Sequence, residues 1–484
     1  MPTTCCAPCR RNAPFRPDPF EGSGRHFLWY FNGIMERTLI GELAQKAGDT
    51  VSISGWVDVR RDQGKLVFFD FRDRSGSVQG VVLPGSPAME TAKECRSEYV
   101  VRVEGVVNKR PEKNVQAGKQ NGDIELEVKG IDIFSKADGL PFDRDAELNL
   151  DTYLDFLPLT LRGDKERAVF KVQAEIAKAY RAFLDGEGFT EFQSPKLIGD
   201  DAEGGANVFE VPYFYGKKAH LGTSPQFYKQ IMVGVFERVY SIGNVFRAEK
   251  HATSRHLNEY TSMDVEMGFI KDHRDVMALE TRLMRHIADH LHKNCAAEFA
   301  LHGATIPAVP EEIPSMKLRE AQELIFKETG EDKRGEPDLE PEDERWLCEW
   351  AAREKGSDFV FVTHYPVSKR PMYTFEDPLD KGFTNSFDLL FRGVEITTGG
   401  QRRHDYESLV EGIRAKGLDP EKFAFYLEAF KYGMPPHGGW GMGLERLTQK
   451  MLGLANVKEA TLFPRDINRI DILLHGAEEA APEA

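Results

Sequence analysis

A chain of 484 residues, 41% hydrophobic and 29% charged, carries enough apolar material for two or three cored domains. No apolar run reaches membrane-spanning length. The six cysteines (Cys5, Cys6, Cys9, Cys95, Cys295, Cys348) are too few for a disulfide framework, which points to a reducing cytoplasm and away from a membrane. The net charge of -15 excludes a protein coated in basic surface, so any nucleic-acid contact must be local.

Residues 1–34 are rich in Pro, Arg, Gly and Cys, lack periodicity, and contain neither a secretory apolar core nor an amphipathic targeting helix. They are expected to be a disordered leader, with Met35 as the start of translation; the Cys5, Cys6, Cys9 cluster lacks a fourth metal ligand nearby.

Residues 35–135 form the first expected domain. Five short alternating runs between 51 and 134 are broken by Gln63-Gly64, Ser75-Gly76, Pro84-Gly85 and the loop 111–122. This spacing predicts a five-stranded OB-type β-barrel with a face for single-stranded nucleic acid. Twelve Lys or Arg face nine Asp or Glu between Trp56 and Lys119, so the local sign reverses that of the chain. Arg60, Arg61, Lys65, Arg72 and Arg74 are expected to contact phosphates, and Phe68, Phe69 and Phe71 to offer a stacking platform; alternation allows Phe69 and Phe71 to be buried with Phe68 outward.

Residues 136–165 read as a hinge, followed by a helical pattern over 166–187 and a strand ending at Pro195. Glu203-Gly204-Gly205 reads as a mobile lid or a plain turn, and Ser224-Pro225 opens a helix that puts Gln226 and Lys229 on one face. Next, Arg247 and Glu249 follow an apolar run, and a polar segment reaching His256 separates it from a second alternating run through Tyr260, Met263 and Val265. This pattern predicts an antiparallel hairpin with a basic loop. Such a hairpin suits a triphosphate: Arg247, Arg255 and His256 for phosphates, Glu249 for an adenine amino group. The alternative is an exposed hairpin carrying surface ion pairs.

Residues 271–360 show mixed helix and loop with many charges and are expected to be solvated surface. Asp388 and Glu395 bracket an apolar run, and carboxylates near a triphosphate point to Mg²⁺. The glycine-dense stretch 433–446 then leads into a helix bearing Arg446, a phosphate-facing pattern that is not a Walker A loop. Residues 475–484 read as an acidic, disordered tail.

Three of these features together resemble the class II aminoacyl-tRNA synthetases and, among them, the aspartyl-tRNA synthetase family: the helix, strand and Pro195; FRAE at 246–249 with RHLNE at 255–259; and GMGLER at 441–446. The resemblance implies an α+β catalytic domain over 166–474, with an antiparallel sheet flanked by helices, in a homodimer. It implies activation of L-aspartate by Mg²⁺-ATP to aspartyl-adenylate, with release of pyrophosphate, and transfer to the 3′ end of tRNA-Asp, with tRNA-Asn as a second candidate. Arg247 and Arg446 would be catalytic. ATP would meet Arg247, Glu249, Arg255, His256, Leu257, Tyr260, Glu395, Gly443, Leu444, Glu445 and Arg446. Glu395 and Thr398 would hold Mg²⁺ with Asp388 in support, and Thr398 stands where the family often has serine. Aspartate would meet Glu203, Ser224, Gln226, Lys229, Arg247, Asp264, Thr398 and Arg402, with the cations Lys229 and Arg402 selecting its side-chain carboxylate. In the barrel, Arg61, Phe68 and Gln79 would read the anticodon. The nearest alternative is an asparaginyl-tRNA synthetase, and a second is a non-catalytic RNA-binding protein on the same body.

Overall fold

Alternation in the N-terminal third closes a barrel. The computed structural model describes residues 36–143, 146–199, 207–250, 253–471 and 474; the expected leader, the Gly204-Gly205 loop with Glu203, and the acidic tail lie outside these. Two compact units divide between Glu147 and Leu148. In the first, β1 (Thr50–Asp62), β2 (Val67–Asp73), β3 (Gly76–Val82), β4 (Val100–Lys109) and β5 (Ile124–Ser135) form a closed barrel in the order β1-β2-β3-β5-β4. Phe69 and Phe71 point inward, with ring centroids 5.0 Å apart, while Phe68 faces partly outward.

Arg72 corrects an expectation. It is buried rather than poised for phosphate: its Nε donates to Asp58 at 2.7 Å and its Nη2 to Glu98 at 2.6 Å and 2.7 Å, so burial is matched by two carboxylates. Arg60 likewise donates to the Cys95 carbonyl at 3.0 Å.

The second unit opens with two short helices, Leu150–Asp155 and Leu157–Thr160, inside the stretch expected to be a hinge. Their signal is weak because one anchor is distant in sequence: the buried Arg469 donates to Asp155 at 2.6 Å. Its strands are β6 (Thr190–Glu191), β7 (Leu197–Ile198), β8 (Glu210–Pro212), β9 (Lys218–Leu221), β10 (Arg238–Phe246), β11 (Glu259–Gly268), β12 (Ser315–Lys317), β13 (Phe359–Thr363), β14 (Ser386–Phe391), β15 (Val394–Gln401) and β16 (His437–Gly443). Eight of them make one sheet, ordered β12-β13-β14-β15-β16-β11-β10-β6, antiparallel except at its two ends. The expected hairpin is β10 and β11, paired from Arg238 opposite Met267 to Phe246 opposite Glu259.

One sheet face is apolar. Tyr240, Met263, Val265, Trp440 and Met442 alternate onto it and pack with helices Asp164–Gly186, His273–Asn294 and Leu444–Leu452. The opposite face carries the polar residues of those strands and is covered in part by helix Gln226–Phe236. The region 271–360 is not surface throughout: helix Pro341–Lys355 buries Asp343 and Glu344. No helix among the described residues is long and apolar enough to cross a membrane.

Candidate active site

The polar face of the sheet is open because three alternate positions of one strand have no side chains there. In β16, Gly439, Gly441 and Gly443 alternate with Trp440 and Met442, so the bulky residues all turn to the core. None of these three glycines needs positive φ; they supply space. A Cβ on Gly441 would stand 3.2 Å from Asp264 Oδ1, and one on Gly439 only 1.9 Å from the Val265 carbonyl. The pairing register then lines up Ser241, Asp264, Gly441, Thr398 and Asp388 in one row across five strands. Above this floor lies a cavity of about 560 Å³.

A bulge brings two candidate metal ligands together. Glu395 and Thr398 are three residues apart and would leave opposite faces of a regular strand. Leu389 pairs with Thr397 and Leu390 with Glu395, so Ile396 is the extra residue, and both side chains reach the polar face. There Thr398 Oγ1 donates to Glu395 Oε1 at 2.7 Å. Burial pushes the Glu395 carboxyl up, but Arg446, the Thr398 hydroxyl and Arg370 more than offset it and hold the group below its usual range. Arg446, in the first turn of its helix, donates to the Glu395 carbonyl at 2.7 Å. Asp388 is placed differently from Glu395 and Thr398: it does not line the cavity, and it pairs with Arg370 at 2.8 Å. Burial pushes Asp388 up to about 6, against the pull of Arg370 and with the push of Glu395.

The loop of the hairpin supplies the next wall. Arg247 stands 3.7 Å from Glu249 and over the Tyr260 ring, 5.7 Å from its centroid. Leu257 and His256 join them along the cavity, as does Arg255, whose Nη1 donates to Glu344 at 2.8 Å. Gly443 and Glu445 also line it, with Glu445 accepting the Thr261 N–H at 3.0 Å, whereas Leu444 turns into the core.

At the other end four buried charges are balanced. Lys229 Nζ donates to Asp264 at 2.9 Å and to the Trp440 carbonyl at 2.9 Å, and lies 3.5 Å from Glu266. Arg402 Nε donates to Glu266 at 2.9 Å and its Nη2 to the Gly439 carbonyl at 2.9 Å. The two cations expected to select a carboxylate are therefore not bare. Burial raises the Glu266 carboxyl, but Arg402 and Lys229 outweigh it and keep the group ionised. Behind them Gln226 donates to Gln230 Oε1 at 2.9 Å, Tyr426 donates to the same oxygen at 3.0 Å, and Gln230 Nε2 meets His437 Nε2 at 2.9 Å. Burial lowers His437 to about 4, so the ring is neutral; its Nδ1 donates to the Pro435 carbonyl, leaving Nε2 to accept. Ser224 lines the same end, while Glu203 is outside the described residues.

The barrel holds its three candidates on one face. Arg61 pairs twice with Asp70, at 2.8 Å and 3.1 Å, across from Phe68 on the neighbouring strand. Gln79 Oε1 accepts from Arg110 at 3.1 Å and from Gln116 at 3.4 Å.

Several residues of the site carried a signal that was not used. Ser262, Asp264 and Glu266 alternate in β11, so Glu266 belongs beside Asp264 by periodicity alone. Glu344, Lys369 and Arg370 had none, since each arrives from a distant segment. Among the described residues the cavity wall holds seven Lys or Arg against four Asp or Glu, a positive lining in an acidic chain suited to an anionic ligand.

Comparison with known proteins agrees with this geometry. Residues 149–467 match the family described as tRNA synthetases class II (D, K and N), and residues 51–134 match the OB-fold nucleic acid binding domain. The chain is 48% identical over 449 residues to the aspartate–tRNA(Asp/Asn) ligase of Deinococcus radiodurans, covering 90% of this chain and 99% of that one. It is 48% identical over 438 residues to the enzyme of the same name from Thermus thermophilus, with the same coverage. Among solved structures it resembles the asparaginyl-tRNA synthetase of Pyrococcus horikoshii complexed with asparaginyl-adenylate, with a TM-score of 0.83, 30% identity, and 90% of this chain and 100% of that one covered. The two family matches and the relatives at 48% identity place the chain in the class II aminoacyl-tRNA synthetases, in the aspartate–tRNA ligase family.

Proposed function

We propose that the protein activates L-aspartate with Mg²⁺-ATP and transfers it to the 3′ end of tRNA-Asp. The observation that carries the choice of amino acid is the balanced set of Lys229, Arg402, Asp264 and Glu266. The substrate ammonium meets Asp264, which leaves one positive charge in excess around Lys229 and Arg402. An aspartate side chain neutralises that excess; asparagine leaves it unmatched in a dry pocket, at a penalty of roughly several kcal/mol.

In the first step an oxygen of the α-carboxylate attacks the α-phosphorus in line, a bond to it forms, and the bond to the bridging oxygen breaks with its electron pair leaving on pyrophosphate. Arg247 faces the developing charge from the hairpin, Glu249 and Tyr260 hold the adenine, and Arg255, His256 and Arg446 hold the outer phosphates. Glu395, ionised beside the Thr398 hydroxyl, gives the oxygen pair that Mg²⁺ prefers. When bound, the ion supplies charge neutralisation to the triphosphate. In the second step a hydroxyl of the terminal ribose attacks the activated carbonyl, forming the ester and releasing AMP, while Phe68, Arg61 and Gln79 engage the anticodon.

The names of both ligases compared above include Asn, which supports tRNA-Asn as a second acceptor. Exposed Val235, Phe236 and Phe269, at the end of the hairpin away from its loop, support a homodimer. The buried free thiols Cys95, Cys295 and Cys348 support a reducing, cytoplasmic setting.

The test is pyrophosphate exchange driven by aspartate or asparagine, then charging of separate tRNA-Asp and tRNA-Asn transcripts with labelled aspartate. Aspartate-driven exchange with charging of both tRNAs is expected. Exchange driven by asparagine alone would assign the pocket to the amide, and charging of tRNA-Asp alone would remove the second acceptor.

A further inference from the structure

Helix Pro341–Lys355 adds no residue to the cavity wall, yet it delivers a carboxylate to one that does. Glu344, 7% exposed, accepts from Arg255 Nη1 at 2.8 Å across 89 residues of sequence. Arg255 belongs to the segment between β10 and β11, whose described residues lie in no ladder or helix, and its side chain keeps 28% of its surface in solvent. Its backbone carbonyl accepts from Arg446 at 3.4 Å, so the loop is tied to the phosphate-facing helix at the same point.

A free arginine side chain samples many rotamers, and that freedom is lost when it grips a phosphate. An acceptor that already fixes the guanidinium removes part of that loss before the ligand arrives. Glu344 takes up one donor of the planar fork and leaves the others to the cavity. Burial pushes its carboxyl up to about 7, with Arg255 opposing and Glu395 adding to the rise. Protonated or ionised, it keeps an oxygen that accepts from Arg255.

Resting on the ATP-dependent reading above, we propose that Glu344 is a positioning residue for nucleotide binding, holding Arg255 oriented toward the outer phosphates of ATP. It acts through Arg255 and touches no substrate itself.

The test is aspartate-dependent pyrophosphate exchange, with ATP and aspartate varied in turn, in wild type, Glu344→Ala, Glu344→Gln, Glu344→Asp, Arg255→Ala and the Arg255→Ala/Glu344→Ala pair. Glu344→Ala is expected to raise KM for ATP about tenfold with KM for aspartate unchanged. Glu344→Gln, which keeps an acceptor oxygen, restores most of the loss; Glu344→Asp, which withdraws the oxygen by one methylene, raises KM for ATP severalfold and decides the matter should the alanine variant not fold. On the Arg255→Ala background Glu344→Ala adds nothing. An unchanged KM for ATP, a lowered one, a fall in kcat alone, or a full effect without Arg255 would overturn the proposal. Wild type lacking aspartate-dependent exchange altogether would instead overturn the functional reading beneath it.

Discussion

Glu266 Oε1 lies 2.9 Å from Arg402 Nε, on a carboxylate with no side-chain surface left in solvent. The same carboxylate is 3.5 Å from Lys229. Glu266→Gln keeps the shape but strands one positive charge in the sheet. Removing one partner of a buried pair costs about 3 kcal/mol, and the loss should appear as an earlier urea unfolding midpoint at neutral pH. Since the Glu266 pKa is depressed on folding, the gap between variant and wild type should shrink as pH falls through the carboxylate range. Coincident midpoints at neutral pH would refute this.

The glycine floor predicts two unequal outcomes. Gly439→Ala drives a Cβ to 1.9 Å from a backbone carbonyl and should cost at least about 3 kcal/mol of stability. Gly441→Ala meets nothing closer than Asp264 Oδ1, at 3.2 Å, and should fold while binding aspartate about tenfold more weakly. Thermal melts and KM for aspartate separate the two.

Thr398 donates to Glu395, so Thr398→Val should raise the Mg²⁺ concentration needed for half-maximal exchange about tenfold or more, whereas Thr398→Ser should stay near wild type. A Mg²⁺ titration of the exchange rate reads this directly. Equal requirements in all three proteins would remove Thr398 from the metal site.

Glu280, on helix His273–Asn294, is fully buried, and the Thr397 hydroxyl beside it offsets only part of the cost of burying a charge. Burial raises it from 4.5 to about 8. The folded state then binds a proton that the unfolded state has released, so this group's contribution to stability is greatest at low pH and declines as pH climbs between those two values. Glu280→Gln should be more stable than wild type above about pH 8, with a margin that closes toward pH 5. Melting temperatures across that interval check the sign.

Periodicity in the sequence carried the barrel and the hairpin, because each rests on neighbours two residues apart; the glycine-dense stretch 433–446 read only as a lead into a helix, since strand β16 has too few side chains to show its alternation. The same rule, applied once more to β11, gives Glu266. It could not give Arg72, whose partners Asp58 and Glu98 come from other parts of the barrel, nor Glu344, whose helix resembles any solvated charged surface. Arg370 was invisible for the same reason, and with it the pairing that holds Asp388 away from the cavity. Residues that share a strand's alternation were legible; residues that arrive from distant segments were not, whether they line the cavity, as Lys369 and Arg370 do, or hold its lining in place, as Glu344 does.

The extra residue at Ile396 sets the phase of β15. Before it, odd-numbered Glu395 faces the cavity; after it, even-numbered Thr398 does. With Ile396 deleted, Glu395 and Thr398 would stand two residues apart, and a regular strand could pair without interruption and still turn both to the cavity. A strand of unchanged length that lost the bulge would instead divide the proposed metal site between two faces of the sheet, so the bulge and the three-residue spacing are required together.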